Sequence, residues 1–418
     1  MSDKKLLSHD FSWRNIIKDK TFDKLEYLDK PHKIYQGFDG TADSLTIGNL
    51  VGLITLLRFA RFGHKVFVVI GGGTTLIGDP SGKNKERPIL SIDQINQNIN
   101  KIQLQIKNIF DQADFELLNN YQWLKDLKFL DFLRDYGKYI NVNDLFNRDF
   151  VVDRLNENSD GMSFAEFSYA NIQAYDYFWL NQNYQIDLQL GGSDQWGNIL
   201  SGVNLIKRIK SKTVNGITEP LLINQKTGIK FGKSENGAVW LDETKTSVLD
   251  FYQFFINIAD EQVDELLRFF TFYSADEIKN IINQHLDDPS KRYGQRILAE
   301  SVTKLIHGQQ KTEAVVLVSD ILTGKKLLKN LTDLELNILK TQIKNFKFSQ
   351  GLSSLDVLIK AGLIKSKTEG KKLLQAGAIS LNFKIIKEDL IKQDQAINHV
   401  IILRKGKAFK DSVVVIVD

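Results

Sequence analysis

Five short stretches hold most of the side chains able to do chemistry. In Thr41 to Asn49 a loop opens a helix at Thr46-Ile47-Gly48-Asn49, and a helix start offers free N–H groups and the positive end of a dipole. Gly48 lets another chain or a ligand approach the backbone. In Gly71 to Arg87, Asp79 can pair with a ligand ammonium, while Lys83 and Arg87 can reach a phosphate chain. Tyr169, Gln173 and Asp176 are spaced by four and then three. One helix face therefore carries all three, a polar stripe that is costly to bury without partners. In Gln189 to Asn198, Gly191 and Gly192 admit a flat ring and Asp194 can accept from ribose hydroxyls. Finally, Lys230 and Lys233 flank Gly232 in a turn. Each stretch alone has an ordinary reading: a packing glycine, a solvated loop, a solvated helix face, a tight turn, a surface turn.

The elements that position these stretches follow from patterning. Lys33–Phe38 reads as a strand, Ile47–Arg61 as a helix with Leu50, Leu53, Ile54 and Leu57 at helical spacing, and Lys65–Ile70 as a continuous apolar strand. That is a βαβ unit, and its second strand runs straight into Gly71-Gly72-Gly73. Further strands are expected at Ile186–Leu190 and Leu221–Ile223, with helices at Ile95–Phe110 and Phe164–Trp179 between. Strands alternating with helices predict a doubly wound α/β domain, whose ligands lie at the carboxyl ends of the strands.

After about residue 245 the strand signals stop. Ser247–Ile258, Glu261–Phe269, Ala275–Leu286 and Lys291–His307 read as helices of a second domain over 246–325, and 326–350 as a lysine-rich connector. In 351–418, helices at Leu355–Leu363 and Thr368–Gln375 precede strands at Ala378–Phe383, His399–Arg404 and Ser412–Val417, a small α+β module. The chain has 418 residues, 42% of them apolar and 25% charged, which suits two or three folded domains and not disorder. There is no cysteine, which excludes disulfides and thiolate chemistry. Six scattered histidines form no close pair, so no protein-bound metal is expected. No apolar run is long enough to span a membrane, and the polar start lacks a secretory core; the expected compartment is the cytoplasm. The formal net charge is +4, yet 351–418 holds 12 basic and 7 acidic residues. The basic excess lies wholly in that segment, as a polyanion-binding surface or a solvated lysine-rich face would have it.

Together the five stretches resemble the bacterial-type tyrosyl-tRNA synthetases, a family of class I aminoacyl-tRNA synthetases. The matching strings are Tyr35 to Asn49, Leu76 to Lys83, Phe167 to Asp176, Gly191 to Asn198 and Lys230-Phe231-Gly232-Lys233-Ser234, in the family's order. The resemblance implies a Rossmann-like catalytic domain over 1–245 with the lysine loop at 230–234, and a helical domain meeting the anticodon region. It also implies an RNA-binding module over 351–418, like that of a ribosomal protein, gripping the long arm of tRNA-Tyr. Tyr35 and Asp176 would hold the substrate phenol; Asp79, Tyr169 and Gln173 its ammonium; Gln195 would sit near its carboxylate. Gln36, Gly48, Asn49, Gly192, Asp194 and Lys233 would contact ATP. Thr41, Thr46, Lys83, Arg87, Lys230 and Lys233 would stabilise the phosphates as tyrosyl-adenylate forms, with Mg²⁺ accompanying ATP. Lys365, Lys367, Lys371, Lys372, Arg404, Lys405 and Lys407 are candidate tRNA phosphate contacts. Phe129–Leu145 resembles the family's dimer segment, which implies a homodimer.

Two departures from the family pattern stand out. Thr46 replaces the first histidine of a His-Ile-Gly-His signature, which shortens a phosphate donor. Gly40 replaces the usual proline, which should loosen the loop carrying Thr41. The alternative to an active ligase is a catalytically impaired RNA-binding paralogue of the same family.

Overall fold

The computed structural model describes residues 6–80, 90–111, 113–146, 151–152, 162–223, 228, 230–234, 237–406 and 411–417, with the side chains of 233 and 234 excepted. The chain divides into two compact units, Met1–Asp242 with Glu261–Asp287, and Glu243–Asp260 with Asp288–Asp418.

The first unit is built on a six-stranded sheet: β1 (Asp19–Lys20), β2 (Lys33–Asp39), β3 (Lys65–Gly71), β4 (Phe115–Asn119), β5 (Leu188–Gly192) and β6 (Asn215–Glu219), in the order β1-β6-β5-β2-β3-β4. Only β1 runs antiparallel to its neighbour. From β2 the chain steps to β3 and β4, then returns on the other side to β5 and β6. The order therefore reverses between β2 and β5, the place where open parallel sheets bind ligands.

The helix Ile47–Arg61 forms as its apolar spacing predicts, and Gly63 at φ +87° turns the chain out of it. Helix Ile92–Ile109 starts earlier than the apolar pattern indicates because Ser91 and Gln94 cap each other. Helix Phe164–Tyr184 runs five residues past its expected end. Its last turn is polar in sequence, yet Leu180 and Asn181 are buried and the Asn181 amide donates to the Ile186 carbonyl. The strand expected at Leu221–Ile223 is instead β6, just before it. Asn215-Gly216-Ile217-Thr218-Glu219 has one large apolar residue and so no readable run, but pairing on both edges buries all of it.

Helices Val263–Phe270 and Ala275–Asp287, expected in a helical domain over 246–325, belong to the first unit. Two buried arginines tie the end of the first of these down. Arg58 Nη2 donates to the carbonyls of Arg268, Phe269 and Thr271, and Arg14 to those of Arg268, Thr271 and Tyr273. The last carbonyls of a helix need such donors. Burial pulls the Arg58 guanidinium down to about 9, the nearby Arg14 adding to the effect and Asp10 opposing it. Arg58→Met should cost about 3–5 kcal/mol, because the Phe269 carbonyl loses its donor and the Arg268 and Thr271 carbonyls and Asp10 are left to Arg14 alone. Urea unfolding measures this, and a loss below about 1 kcal/mol would remove the arginine from the account.

In the second unit, helices Val248–Ile256, Tyr293–His307 and Gln309–Leu322 pack on one another. The stretch read as a connector holds helix Asp333–Thr341, capped by Thr332 and Glu335, and strand β9 (Asn345–Lys347). In between, β7 (Lys233–Ser234) and β8 (Gly237–Ala238) form a small hairpin of the first unit. Strand β9 is an edge of the C-terminal sheet, ordered β11 (Lys384–Ile385), β10 (Ile379–Leu381), β12 (Val400–Lys405), β13 (Ser412–Ile416), β9. The module thus begins before residue 351. Helices Ser354–Lys360 and Lys367–Gln375 complete it over one apolar core that includes Leu355, Leu358, Ile401 and Val415. Arg404, expected at the surface, is 4% exposed with its guanidinium 5.3 Å from the Phe383 ring.

Candidate active site

A cavity of about 460 Å³ opens at the carboxyl ends of β2 and β5. Tyr35, Gln36, Thr41, Thr46, Gly48, Asn49, Asp79, Tyr169, Gln173, Asp176, Gly192, Asp194, Gln195 and Lys230 all line it. The structure therefore gathers these expected site residues around one space. Lys83 and Arg87 lie outside the described residues, as does the Lys233 side chain, although its backbone is placed in β7.

The cavity has two ends, because successive residues of β2 face opposite sides of the sheet. Tyr35 points toward helix Phe164–Tyr184, its ring 5.3 Å from that of Tyr177. Its hydroxyl is buried and has no hydrogen-bond partner among the described residues. Burial, with the charge of Asp176 beside it, raises the Tyr35 hydroxyl well above its ordinary range. Asp176 is 4% exposed, and its two carboxylate oxygens accept from Trp123 Nε1 at 2.7 Å and Asn120 Nδ2 at 2.8 Å. Burial pushes its carboxyl up to about 7 in spite of those two donors, which favour the charge.

Asn120 and Trp123 were not legible as site residues. Asn120 also ties down the triple-glycine loop, accepting from Gly73 N at 2.7 Å and donating to Thr74 Oγ1 at 3.0 Å. A polar pair just past the apolar part of β4 was the available signal.

Nearer the mouth, Gln195 Nε2 donates to Asp79 Oδ2 at 2.7 Å, and Asn198 donates to Gln195 Oε1 at 3.2 Å. This chain fixes the Gln195 amide, whose carbonyl faces Asn198 and whose N–H faces the acid. The Tyr169 hydroxyl lies 3.4 Å from Asp39.

On the other side, Gln36 faces helix Ile47–Arg61. Its amide lies over Gly52, where a Cβ would sit 2.4 Å from it. Thr46 caps that helix and donates from its hydroxyl to Asn49 Oδ1 at 2.8 Å; Asn49 Oδ1 also accepts the Thr46 N–H at 3.0 Å. Thr46 therefore orients the Asn49 amide as well as facing the cavity. The Lys230–Ser234 loop rests on the same helix start: at Gly232, φ +85°, a Cβ would be strained and would sit 3.2 Å from Gly48 N and Ile47 Cβ. Lys230 Nζ sits 3.1 Å from Asp194 Oδ2.

Gly40 does not loosen its loop. It is buried, its N–H donates to Thr75 Oγ1 at 2.8 Å, and its carbonyl accepts from Asn98 at 2.8 Å. A proline could not make the first of these bonds.

The near-neutral Asp176 predicts a pH dependence. The resemblance assigns Asp176 a substrate phenol, whose O–H is held best by the ionised carboxylate, so on that assignment bound tyrosine should lower this pKa from about 7. Tyrosine binding then expels a proton below pH 7 and weakens as pH falls, by about tenfold from pH 8 to pH 6. Calorimetric titration with tyrosine at pH 6, 7 and 8 tests this; a flat affinity would contradict the assignment.

Among the described residues no group of three acidic, histidine or cysteine side chains is placed to hold a metal ion, and no helix is long and apolar enough to cross a membrane.

Residues 28–322 match the family model of tRNA synthetases class I (W and Y). A tyrosine–tRNA ligase of Flavobacterium psychrophilum is 38% identical, covering 96% of this chain and 98% of that protein. One from Buchnera aphidicola is 42% identical over 90% of this chain and 91% of its own length. Among solved structures, a C-terminally truncated Aspergillus nidulans mitochondrial tyrosyl-tRNA synthetase has a TM-score of 0.68 at 31% identity, covering 76% of this chain and 94% of that one.

Proposed function

This chain belongs to the class I tRNA synthetases (W and Y), and we propose that it takes tyrosine, forming tyrosyl-adenylate from ATP and then tyrosyl-tRNA. The observation that carries the choice of amino acid is the pair at the closed end of the cavity. Tyr35 offers a buried hydroxyl without a partner among the described residues, and Asp176 a buried acceptor. A phenol can accept from the first and donate to the second. An indole N–H can only donate, so it would leave Tyr35 unsatisfied.

With the phenol at that end, the substrate backbone points toward Asp79, Tyr169, Gln173 and Gln195 at the mouth. Asp79 and the hydroxyl and amide groups suit the ammonium. The tyrosine carboxylate is already ionised and attacks the α-phosphorus of ATP in line, and pyrophosphate leaves. The reaction needs positioning and charge stabilisation more than proton transfer. Lys230 is held near Asp194; a ribose donating hydrogen bonds to Asp194 would free it to turn toward phosphate. Thr41 and Thr46 supply hydroxyls along the same wall, and Lys83, Arg87 and Lys233 further cations. Mg²⁺ would arrive on the triphosphate, held by phosphate and water oxygens. The adenylate then passes its acyl group to the terminal adenosine of tRNA-Tyr, in the cytoplasm.

Lys365, Lys371 and Lys372 are exposed on the C-terminal module and suit tRNA phosphates. Lys367 pairs with Asp356 and Lys405 donates to the Leu363 carbonyl; Lys407 lies outside the described residues. A homodimer is supported by Phe129, Leu130, Val142 and Phe164, each 54–77% exposed. Light scattering should read twice the 47.7 kDa chain mass, and a monomer at micromolar concentration would refute the dimer.

The test of the activity is tyrosine-dependent exchange of labelled pyrophosphate into ATP, with phenylalanine and tryptophan as controls. Exchange with tyrosine alone is the expected result. Its absence in folded protein that still binds tRNA-Tyr would point to the impaired paralogue and to Thr46 as the cause.

A further inference from the structure

Besides Asp79 and Asp176, the cavity contains a buried acid that none of the five stretches includes. Glu219 ends β6, is 3% exposed and lines the cavity. Its neighbour in register on β5 is Gly192, which carries no side chain. One oxygen is engaged with Thr55 on helix Ile47–Arg61, while Oε1 has no partner among the described residues. Burial pushes the carboxyl up to about 7, although the Thr55 bond and the charge of Arg58 oppose this.

The side of the sheet matters. Contact with Thr55 places Glu219 on the same face as Gln36, away from Tyr35 and the phenol end. Gly48, Gly52 and Thr55 follow at i, i+4 and i+7, so one face of the helix is a shallow crevice of small residues. Over Gly52, within that crevice, lies the Gln36 amide, whose Oε1 is also buried and without a partner among the described residues. Glu219 lies beside it, at Thr55. Two buried acceptors left without donors are costly to a protein alone, and they fit a ligand that brings N–H or O–H groups into a narrow slot.

We propose that Glu219 is a nucleoside-recognition residue, its Oε1 accepting a hydrogen bond from a neutral donor of ATP, either the adenine amino group or a ribose hydroxyl. This rests on the reading of the cavity as an ATP site and extends it to a residue outside the strings that suggested that reading. Gly192 and Asp194 bracket the ribose side of the crevice, and Glu219 lies beside them across β5 and β6. No bond is made or broken by Glu219; it positions the nucleoside on which the tyrosine carboxylate acts.

The experiment measures pyrophosphate exchange in the full-length protein with ATP, ITP, 2′-deoxy-ATP and 3′-deoxy-ATP, on wild type, Glu219→Gln and Glu219→Leu. Loss of a hydrogen bond to a charged acceptor predicts a KM for ATP raised about tenfold to a hundredfold in Glu219→Leu, with kcat and the KM for tyrosine little changed. Glu219→Gln keeps an acceptor oxygen and should stay within a few fold of wild type. The wild-type preference for ATP over one analogue should collapse in Glu219→Leu. Collapse against ITP assigns the adenine amino group; collapse against a deoxy analogue assigns that ribose hydroxyl. A KM for ATP within twofold of wild type would overturn the proposal. So would an increase that leaves every analogue preference unchanged, because general loosening of the cavity does that. If wild type shows no exchange, the ligase reading fails separately, and equilibrium binding of the same four nucleotides judges Glu219 by the same criteria.

Discussion

Asp176→Ala lowers kcat/KM for tyrosine in pyrophosphate exchange by about 10²–10⁴-fold, while the affinity for tRNA-Tyr changes little. Two costs add. The phenol loses a hydrogen bond to a buried carboxylate, and the Trp123 and Asn120 donors at 2.7 and 2.8 Å lose their acceptor. Each unsatisfied buried group costs on the order of 1–3 kcal/mol. Most of the loss should appear in the KM for tyrosine, since the proposed pose sets Asp176 at the end of the substrate farthest from the reacting carboxylate. Phenylalanine gains relative to tyrosine, because the site no longer strands an acceptor when the hydroxyl is missing. Asp176→Asn is the sharper probe: it keeps the volume, but its amide N–H₂ faces Trp123 or Asn120 as donor against donor. It should retain the fold and still lose about 10²-fold or more. Equal loss of tyrosine activation and tRNA binding would show instead that the substitution unfolds the cavity wall. A normal KM for tyrosine would dismiss Asp176 as the phenol acceptor.

The parts of this site that could be read directly are those where glycine and polar residues follow an apolar strand. The β2–helix–β3 unit, Gly191-Gly192 and the lysine loop are of this kind, and the backbone demands such residues there. What escaped reading depends on tertiary burial. Asn120 and Trp123 gain meaning only because helix Phe164–Tyr184 brings Asp176 onto them from far along the chain. Glu219 sits in a strand with too few apolar residues to be recognised; the strand is buried because both its edges are paired. Gly40 looked like a loosening substitution from sequence, and only the Thr75 hydroxyl bonded to its N–H shows otherwise. Residues 326–350 read as a connector because β9 is three residues long and its partner β13 lies about seventy residues away in the chain. Local patterning carries no trace of such a pairing.

That pairing sets where a truncation must fall. Removing residues 343–418 takes away the C-terminal module whole, whereas a cut at 351 leaves β9 as an unpaired edge strand, a template for aggregation. The variant cut at 343 keeps the sheet of the first unit, every residue that lines the cavity, and helix Asp333–Thr341 with its Thr332 cap. Tyrosine-dependent pyrophosphate exchange should therefore stay within about twofold of wild type, because no group at the reacting atoms is lost. Charging of tRNA-Tyr should fall by about 10²-fold or more at physiological salt, because the removed segment carries the chain's basic excess. The diagnostic is the salt dependence. Each phosphate contact contributes roughly 0.7–0.9 to the slope of log affinity against log salt. Exposed Lys365, Lys371 and Lys372 would account for a slope shallower by on the order of two to three in the truncated chain. Loss of charging with an unchanged slope would mean that the module acts by orienting the tRNA or by supporting the dimer. Charging that survives truncation at physiological salt would remove the module from tRNA binding altogether.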